Sequence, residues 1–135
     1  MKYVESHYRT INDKNHRAIA GLSMGGFHSL YISANNPDLF GYVGLFSAAT
    51  SKQINNKNTS VYENLDQKLA TQFSNPPRLY WIGIGKTDFL YKDNIDFRKQ
   101  LDEKGYKYTY VETDGGHIWR NWRVYLTEFA PLLFK

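Results

Sequence analysis

The chain has 135 residues, which is enough to bury the core of one domain and too short for two, and its 41% apolar content is that of a globular protein. The net charge of +4 comes from basic residues scattered among acidic ones, without the basic stripe that nucleic-acid binding requires. The absence of cysteine excludes disulfides and thiolate metal sites, and no apolar run reaches the length of a transmembrane helix.

In chain order, the pattern of apolar and polar residues predicts helices that alternate with buried strands. The first half gives a short helix, a strand, a longer helix, a second strand and an exposed Asn-rich loop, at residues 3–11, 16–22, 24–35, 42–47 and 49–60. The second half gives helix, strand, helix, strand and helix, at residues 62–73, 79–85, 89–104, 106–112 and 119–134. The first helix is predicted from one apolar stripe, formed by Tyr3, Val4, Tyr8 and Ile11.

This alternation of helices and strands indicates an α/β fold. It implies a parallel sheet with right-handed crossovers and helices on both faces. We therefore expect a three-layer α/β/α domain with about four parallel strands.

A nucleophile-elbow motif stands between the first strand and the helix that follows it. Residues 21–26, GLSMGG, contain the pattern G-x-S-x-G, in which the serine occupies a sharp strand-to-helix turn. Gly21 and Gly25 lack Cβ atoms, so we expect strand and helix to approach closely around Ser23. The backbone N–H of Met24, at the helix N-terminus, is the candidate oxyanion donor. A glycine-rich turn without chemistry is the alternative interpretation.

A candidate acid and a candidate base follow two later strands, in the order Ser, Asp, His that is typical of this elbow. Asp88 follows strand 79–85, and His117 follows strand 106–112 after two glycines. Parallel strands end at one edge of a sheet, so we expect both side chains to lie near Ser23. In such a set Ser23 is the nucleophile, His117 the base and Asp88 the acid that orients the imidazole.

The sequence leaves other interpretations of Asp88 and His117 open. An aspartate in the position of Asp88 often serves only as a helix N-cap. Asp93 and Asp96 compete for the role of the acid, although both fall within or at the start of the predicted helix 89–104. A histidine after two glycines is also compatible with an ordinary turn residue.

Leu22 and Trp119 are the candidate lining residues of a substrate pocket. Trp119 and Trp122 are three residues apart, so both rings can share one face of the final helix. Either the two rings pack in the core and fix the loop of His117, or Trp119 lines an acyl or sugar pocket.

Three segments carry a resemblance to a known family, namely residues 17–26 (RAIAGLSMGG), 85–90 (GKTDFL) and 115–123 (GGHIWRNWR). The chain resembles the C-terminal part of an esterase D-type α/β-hydrolase, a group that includes the feruloyl and acetyl-xylan esterases of carbohydrate esterase family 1. The resemblance implies Ser23 as nucleophile, Asp88 as acid and His117 as base. It also implies hydrolysis of carboxylic esters, often on plant polysaccharide. We expect no cofactor and no metal.

Members of that family are longer, and the strands before the elbow strand have no counterpart in this sequence. The loop that normally supplies the second oxyanion N–H belongs to that part of the fold. Losing one such donor costs on the order of 10²–10³ in rate. We therefore expect residues 1–135 to form a single truncated esterase-like domain. A catalytically impaired esterase fragment and a sugar-binding domain are the alternatives to an active esterase.

The elbow strand is expected to form an open edge of the sheet. By the resemblance, the four strands lie in sequential order, so this first strand pairs on one side only. An exposed apolar edge strand invites pairing with another chain. We therefore expect a homodimer through this edge or a monomer that tends to associate. The expected binding partners are small-molecule or polysaccharide esters, without nucleic acid or membrane.

Overall fold

The computed structural model of the protein describes residues 1–50 and 60–135. Its strands are β1 (Ala18–Leu22), β2 (Tyr42–Phe46), β3 (Leu79–Gly85) and β4 (Thr109–Thr113). Its α-helices are α1 (Lys2–His7), α2 (Met24–Asn35), α3 (Leu65–Ser74), α4 (Tyr91–Glu103) and α5 (Trp119–Phe129). Of the predicted Asn-rich loop, residues 51–59 lie outside the described residues. None of the described helices is long and apolar enough to cross a bilayer.

The four strands form one parallel sheet in the order β1-β2-β3-β4. In the middle of the sheet Ala20 lies opposite Gly44, Gly44 opposite Trp81, and Trp81 opposite Thr109. The expected α/β class with four parallel strands is therefore confirmed. All four strands end at the same edge of the sheet, and β1 and β4 are its two outer strands.

Helices cover both faces of the sheet and bury two separate cores. One face packs against α2, α3 and α4 through fully buried side chains such as Leu30, Leu45, Ile82 and Leu101. The other face packs against α5 through an aromatic cluster, which consists of Tyr42, Phe46, Trp81, Tyr125 and Phe129. Ring centroids within this cluster lie 5.2 to 6.0 Å apart. Burying side chains of this size stabilises the fold by about 1.5–3 kcal/mol each, which fixes α5 on the sheet.

Several element ends differ from the predicted ones for local reasons. The last helix ends at Phe129 and continues as a 3₁₀ turn over Ala130–Leu132, because Pro131 has no N–H to donate to a carbonyl four residues earlier. Strand β4 begins at Thr109, three residues later than expected. Gly105, with φ of +69°, ends the preceding turn, and the N–H of Tyr106 still donates to the carbonyl of Leu101.

The first helix is shorter than predicted, and its apolar stripe is not buried. Helix α1 ends at His7. All four members of the stripe are exposed to solvent: Tyr3, Val4, Tyr8 and Ile11. An ion pair ties α1 to the start of β1 instead, because Arg17 donates from Nε and Nη2 to Oε1 of Glu5, at 2.9 and 2.6 Å. The stripe correctly predicted a helix. It did not predict that the helix ends at His7 or that the apolar side chains are exposed.

Candidate active site

Ser23 occupies the sharp turn between β1 and α2. Its φ of 53° and ψ of −117° are unusual for a residue with a side chain, and such geometry needs support from its surroundings. That support comes from backbone hydrogen bonds: the Ser23 N–H donates to the carbonyl of Phe46 at 2.8 Å, and the Ser23 carbonyl accepts from Phe27 and Ala49 at 3.1 and 3.3 Å. The turn therefore holds the serine side chain at the carboxyl edge of the sheet.

The close approach of strand and helix depends on two glycines, and Gly25 is not one of them. A Cβ on Gly21 would lie 2.3 Å from the carbonyl carbon of Gly25, and one on Gly26 would lie 2.5 Å from Cβ of Ala48. A Cβ on Gly25 would meet no atom within 4 Å. The backbone of Gly25 takes part in the approach. The lack of space for a Cβ atom, which we expected at Gly25, is found at Gly26 instead.

Asp88 lies in the loop after β3 and is almost completely buried. Its N–H donates to the carbonyl of Gly85 at 3.1 Å, and its Oδ1 accepts from the N–H of Leu90 at 2.9 Å. The residue is only 4% exposed, so burial and these bonds leave its side chain little freedom. Burial raises the pKa of the Tyr125 phenol in the neighbouring core, and the charge of Asp88 adds to the increase. The competing acids Asp93 and Asp96 lie within α4.

His117 lies between Asp88 and Ser23 and contacts both. Its Nδ1 is 2.9 Å from Oδ2 and 3.1 Å from Oδ1 of Asp88, and its Nε2 is 2.9 Å from Oγ of Ser23. A carboxylate can only accept, so Nδ1 carries the proton in this arrangement, and the unprotonated Nε2 accepts from the serine hydroxyl. The imidazole is flanked by the rings of Phe89 and Trp122, with centroids 4.6 and 4.9 Å away.

An apolar groove of about 250 Å³ lies between β1 and α5, and its lining includes the two residues that precede Ser23. Its lining consists of Ala20, Gly21, Leu22, Phe46, Trp119, Trp122, Arg123 and Leu126. Both expected pocket residues, Leu22 and Trp119, are part of it. Trp119 is 66% exposed and so is not a core residue, whereas Trp122 contacts His117 and packs against the aromatic core.

The remaining observations on the site concern the N–H of Met24 and the side chains that could bind a metal ion. The N–H of Met24 is the first of α2, where no carbonyl of the same helix is available to accept it. A helix N-terminus of this kind favours an anion, so this N–H is the candidate oxyanion donor. Within residues 1–50 and 60–135, no group of three or more His, Asp or Glu side chains is placed to hold a metal ion.

Sequence reasoning missed two residues beside the histidine. Phe89 directly follows Asp88, and its ring covers His117 although it is 75% exposed. Asn121 is 2% exposed and donates from Nδ2 to the carbonyl of Gly116 at 3.0 Å. A signal for Asn121 was present, because it occupies the same helical row as the buried Tyr125 and Phe129. A polar residue in a buried row needs a hydrogen-bond partner.

The chain matches one family model and is similar to esterases of known sequence. The Esterase family model matches residues 1–133. An endo-1,4-beta-xylanase/feruloyl esterase of Xylanibacter ruminicola is 28% identical over 134 residues, which cover 98% of this chain and 16% of that protein. An acetyl esterase of Caldicellulosiruptor saccharolyticus is 28% identical over 144 residues, which cover 87% of this chain and 54% of that protein.

A solved structure shows the same fold. The S-formylglutathione hydrolase of Staphylococcus aureus superposes with a TM-score of 0.80 at 22% identity, over 99% of this chain and 60% of that one. At this identity the likeness concerns the fold alone. The chain spans about half the length of the acetyl esterase and a smaller part of the xylanase/feruloyl esterase.

Proposed function

Because the chain belongs to the Esterase family, we propose that it is a serine carboxylic-ester hydrolase whose catalytic triad is Ser23, His117 and Asp88. The observation that carries the proposal is the continuous hydrogen-bonded path from Ser23 Oγ through His117 to Asp88, with 2.9 Å at each step. Order along the chain, position at the carboxyl edge of the sheet and the strained serine turn all support it.

The geometry suits a two-step acyl transfer. Ser23 Oγ attacks the ester carbonyl carbon while His117 Nε2 takes the hydroxyl proton, and Asp88 stabilises the resulting imidazolium. The negative carbonyl oxygen of the tetrahedral intermediate faces the N–H of Met24. His117 then gives the proton to the departing alcohol, which leaves an acyl-serine. A water molecule, deprotonated by the same Nε2, releases the carboxylic acid and restores the serine.

We propose acetyl or feruloyl esters of plant polysaccharide as the substrates. Two relatives are named an endo-1,4-beta-xylanase/feruloyl esterase and an acetyl esterase. The groove beside Ser23 adds physical support, since it is apolar and flanked by Leu22 and the exposed ring of Trp119. Its volume of about 250 Å³ exceeds the roughly 150 Å³ that accommodates a benzene molecule in a protein interior.

A domain with the same fold but little activity is the second candidate. Among residues 1–50 and 60–135, Met24 supplies the one oxyanion N–H that we assign, whereas this class of enzyme uses two. A domain with one donor would turn over esters on the order of 10²–10³ more slowly. A sugar-binding role would instead depend on exposed rings such as Trp119 and would survive loss of the serine.

The test compares hydrolysis of p-nitrophenyl acetate and methyl ferulate by the wild type and Ser23→Ala. We expect the substitution to lower turnover by at least about 10³-fold and to abolish labelling by a fluorophosphonate. Ser33→Ala is the matched control, because its buried hydroxyl donates to a carbonyl within α2, at Leu30. Equal turnover by wild type and Ser23→Ala would refute the proposal, and polysaccharide binding retained by Ser23→Ala would favour the sugar-binding alternative.

A further inference from the structure

His117 is the central residue of a tight turn. The N–H of Ile118 donates to the carbonyl of Gly116 at 3.0 Å, which closes a three-residue turn around the histidine. Gly115, two residues before the histidine, has a φ of +87°, in the left-handed region that favours glycine. The direction of the imidazole therefore depends on how firmly the carbonyl of Gly116 is held.

The side chain of Asn121 supplies a second hydrogen bond to that same carbonyl. Its Nδ2 lies 3.0 Å from the oxygen of Gly116, as close as the N–H of Ile118. Asn121 belongs to the first turn of α5, and its own N–H donates to the carbonyl of Ile118 at 3.1 Å. An amide that is 98% buried is costly unless it is hydrogen-bonded, and this bond to the histidine turn satisfies that need.

The same amide also packs against the strand that leads to the acid. A Cβ on Gly85, the last residue of β3, would lie 2.7 Å from Nδ2 of Asn121 and 2.2 Å from the carbonyl oxygen of Gly115. The carbonyl of Gly85 in turn accepts from the N–H of Asp88. Helix α5, the acid loop and the histidine turn therefore meet at one buried amide.

A short backbone ladder joins the two loops directly. Lys86 donates from its N–H to the carbonyl of Thr113 at 2.9 Å, and Thr87 donates to the carbonyl of Gly115 at 3.0 Å. Neither bond reaches Gly116, the residue before His117. The contact from Asn121 extends the attachment to that residue.

We propose that Asn121 is a positioning residue that holds His117 at hydrogen-bond distance from both Asp88 and Ser23, an inference that rests on the proposed function. It does not touch the reacting atoms. It acts through the carbonyl of Gly116. The position of this carbonyl fixes the backbone of His117, from which the imidazole projects. A misplacement of about 1 Å in a catalytic group can lower a rate on the order of 10²-fold, so one bond at this point has a measurable effect.

The first experiment replaces Asn121 by aspartate, which has the same shape but cannot donate to the carbonyl of Gly116 when ionised. We expect kcat for p-nitrophenyl acetate to fall by about 10- to 100-fold while KM changes by less than about twofold. Asn35→Asp is the matched control, because Nδ2 of Asn35 donates to two carbonyls away from the site, at Tyr31 and Val61. The control is expected to change stability but not kcat.

A second measurement does not depend on turnover. The proton on Nδ1 of His117, bonded to Asp88, should give a resolved downfield signal in the ¹H spectrum of the protein. We expect it in the wild type and in Ser23→Ala, and we expect it to be shifted or lost after Asn121→Asp. If no serine-dependent turnover is found, the proposed function fails, and this signal still tests the positioning role.

One pattern of results would overturn the inference. Unchanged kcat and an unchanged Nδ1 signal in Asn121→Asp, with only a lower free energy of unfolding, would reduce Asn121 to a structural residue. If Asn121→Asp does not fold, Asn121→Ala is measured in the same way, since it removes the amide without adding a charge.

Discussion

The two outer strands of the sheet, β4 and β1, differ in the side chains that surround them. On β4, the hydroxyls of Tyr91 and Tyr110 both donate to Oε2 of Glu112, at 2.7 and 2.8 Å, and the guanidinium of Arg98 lies 3.7 Å above the ring of Tyr110. Tyr91 and Arg98 belong to α4, so helix side chains reach over the strand and contact it, although Thr109 and Glu112 stay exposed. Charges and bulky polar groups of this kind protect an edge from pairing with other chains.

Strand β1 has no comparable cover among the described residues. The carbonyl of Arg17 and the N–H of Ser23 are bonded on the β2 side, so the alternation of the backbone turns the polar groups of Ala18, Ala20 and Leu22 outward. On one face of β1 lies the apolar groove, and near the start of β1 lies a cavity of about 350 Å³ that is lined in part by Val4 and Ile11.

The difference divides the candidate site into two halves. Asp88 and His117 follow β3 and β4, on the covered side, and backbone bonds join their loops. Ser23 follows β1, on the open side, and depends on its turn and on β2 for support. We therefore expect side-chain changes at Asp88 to affect chemistry with little effect on folding. Apart from loss of the Ser23 hydroxyl itself, we expect changes at the serine turn and on β1 to affect folding and association.

The largest expected effect is on the covered side, from Asp88→Asn. An amide at this position can donate to Nδ1 of His117 and so favours the wrong tautomer, which lowers kcat by about 10⁴-fold in a serine protease with a Ser-His-Asp triad. The amide oxygen can still accept from Leu90, so the unfolding midpoint should hardly move. The measurement is steady-state hydrolysis of p-nitrophenyl acetate beside urea unfolding.

Asp114→Asn is the control for this prediction. Asp114 lies in the histidine loop, but its side chain is 88% exposed and pairs with Lys86 at 3.1 Å. We expect its replacement to leave kcat within about twofold, since an exposed ion pair contributes little. A similar loss of activity in both variants would mean that the loop responds to charge as a whole and not through Asp88.

On the open side, two glycines of the serine turn should respond in opposite directions. Gly21→Ala places a Cβ 2.3 Å from the backbone of Gly25, and we expect a loss of about 1–3 kcal/mol or more in the free energy of unfolding. Gly25→Ala meets no atom within 4 Å and lies in α2, so it should be neutral or stabilising by up to about 1 kcal/mol. Equal destabilisation of both variants, measured by urea unfolding, would contradict this assignment.

We propose that the open edge lets two copies of this chain associate through β1. Its free backbone groups and the small side chain of Ala20 permit a second strand to approach. Light scattering over a range of concentrations should show a dimer, and Ala20→Lys should weaken it by about tenfold or more, which is about 1.4 kcal/mol. Thr109→Lys, on the covered strand β4, is the control. A wild type that stays monomeric at all concentrations would contradict the proposal.

The sequence predicted the regular parts of the fold because their signals are local. Helix α2 and strand β3 have the predicted bounds, since their ends are set by neighbouring glycine, asparagine and proline residues. The strand-end positions of Asp88 and His117 were also readable, because parallel strands share one carboxyl edge. The predictions that depend on distant neighbours were wrong. These were the packing of the apolar stripe of the first helix and the lack of space at Gly25.

Side-chain contacts across elements were the least predictable. No local pattern shows that Phe89 turns its ring over His117, because this contact joins two loops that only the folded sheet brings together. Asn121 was recognisable as a polar residue in a buried row, but its partner, the carbonyl of Gly116, was not.

The smallest expected effect concerns the cover of β4 and depends on pH. The hydroxyls of Tyr91 and then Tyr110, which donate to the carboxylate, are the main cause of a pKa of Glu112 below its ordinary value of 4.5. A lowered pKa in the folded protein means that the ionised Glu112 stabilises the fold at neutral pH. This contribution falls away as the pH drops below 4.5 and through the lowered pKa. We expect Glu112→Gln to be slightly less stable than the wild type at pH 7.

Urea unfolding at a series of pH values separates this effect from a simple loss of packing. The difference between wild type and Glu112→Gln should shrink toward zero in acid, because the protonated glutamate and the glutamine are then nearly equivalent. Glu103→Gln is the control, since that carboxylate is exposed and only 4.0 Å from Lys99. A difference that stays constant from neutral to acid pH would show that the carboxylate charge does not stabilise this edge. In that case the aromatic side chains alone distinguish β4 from β1.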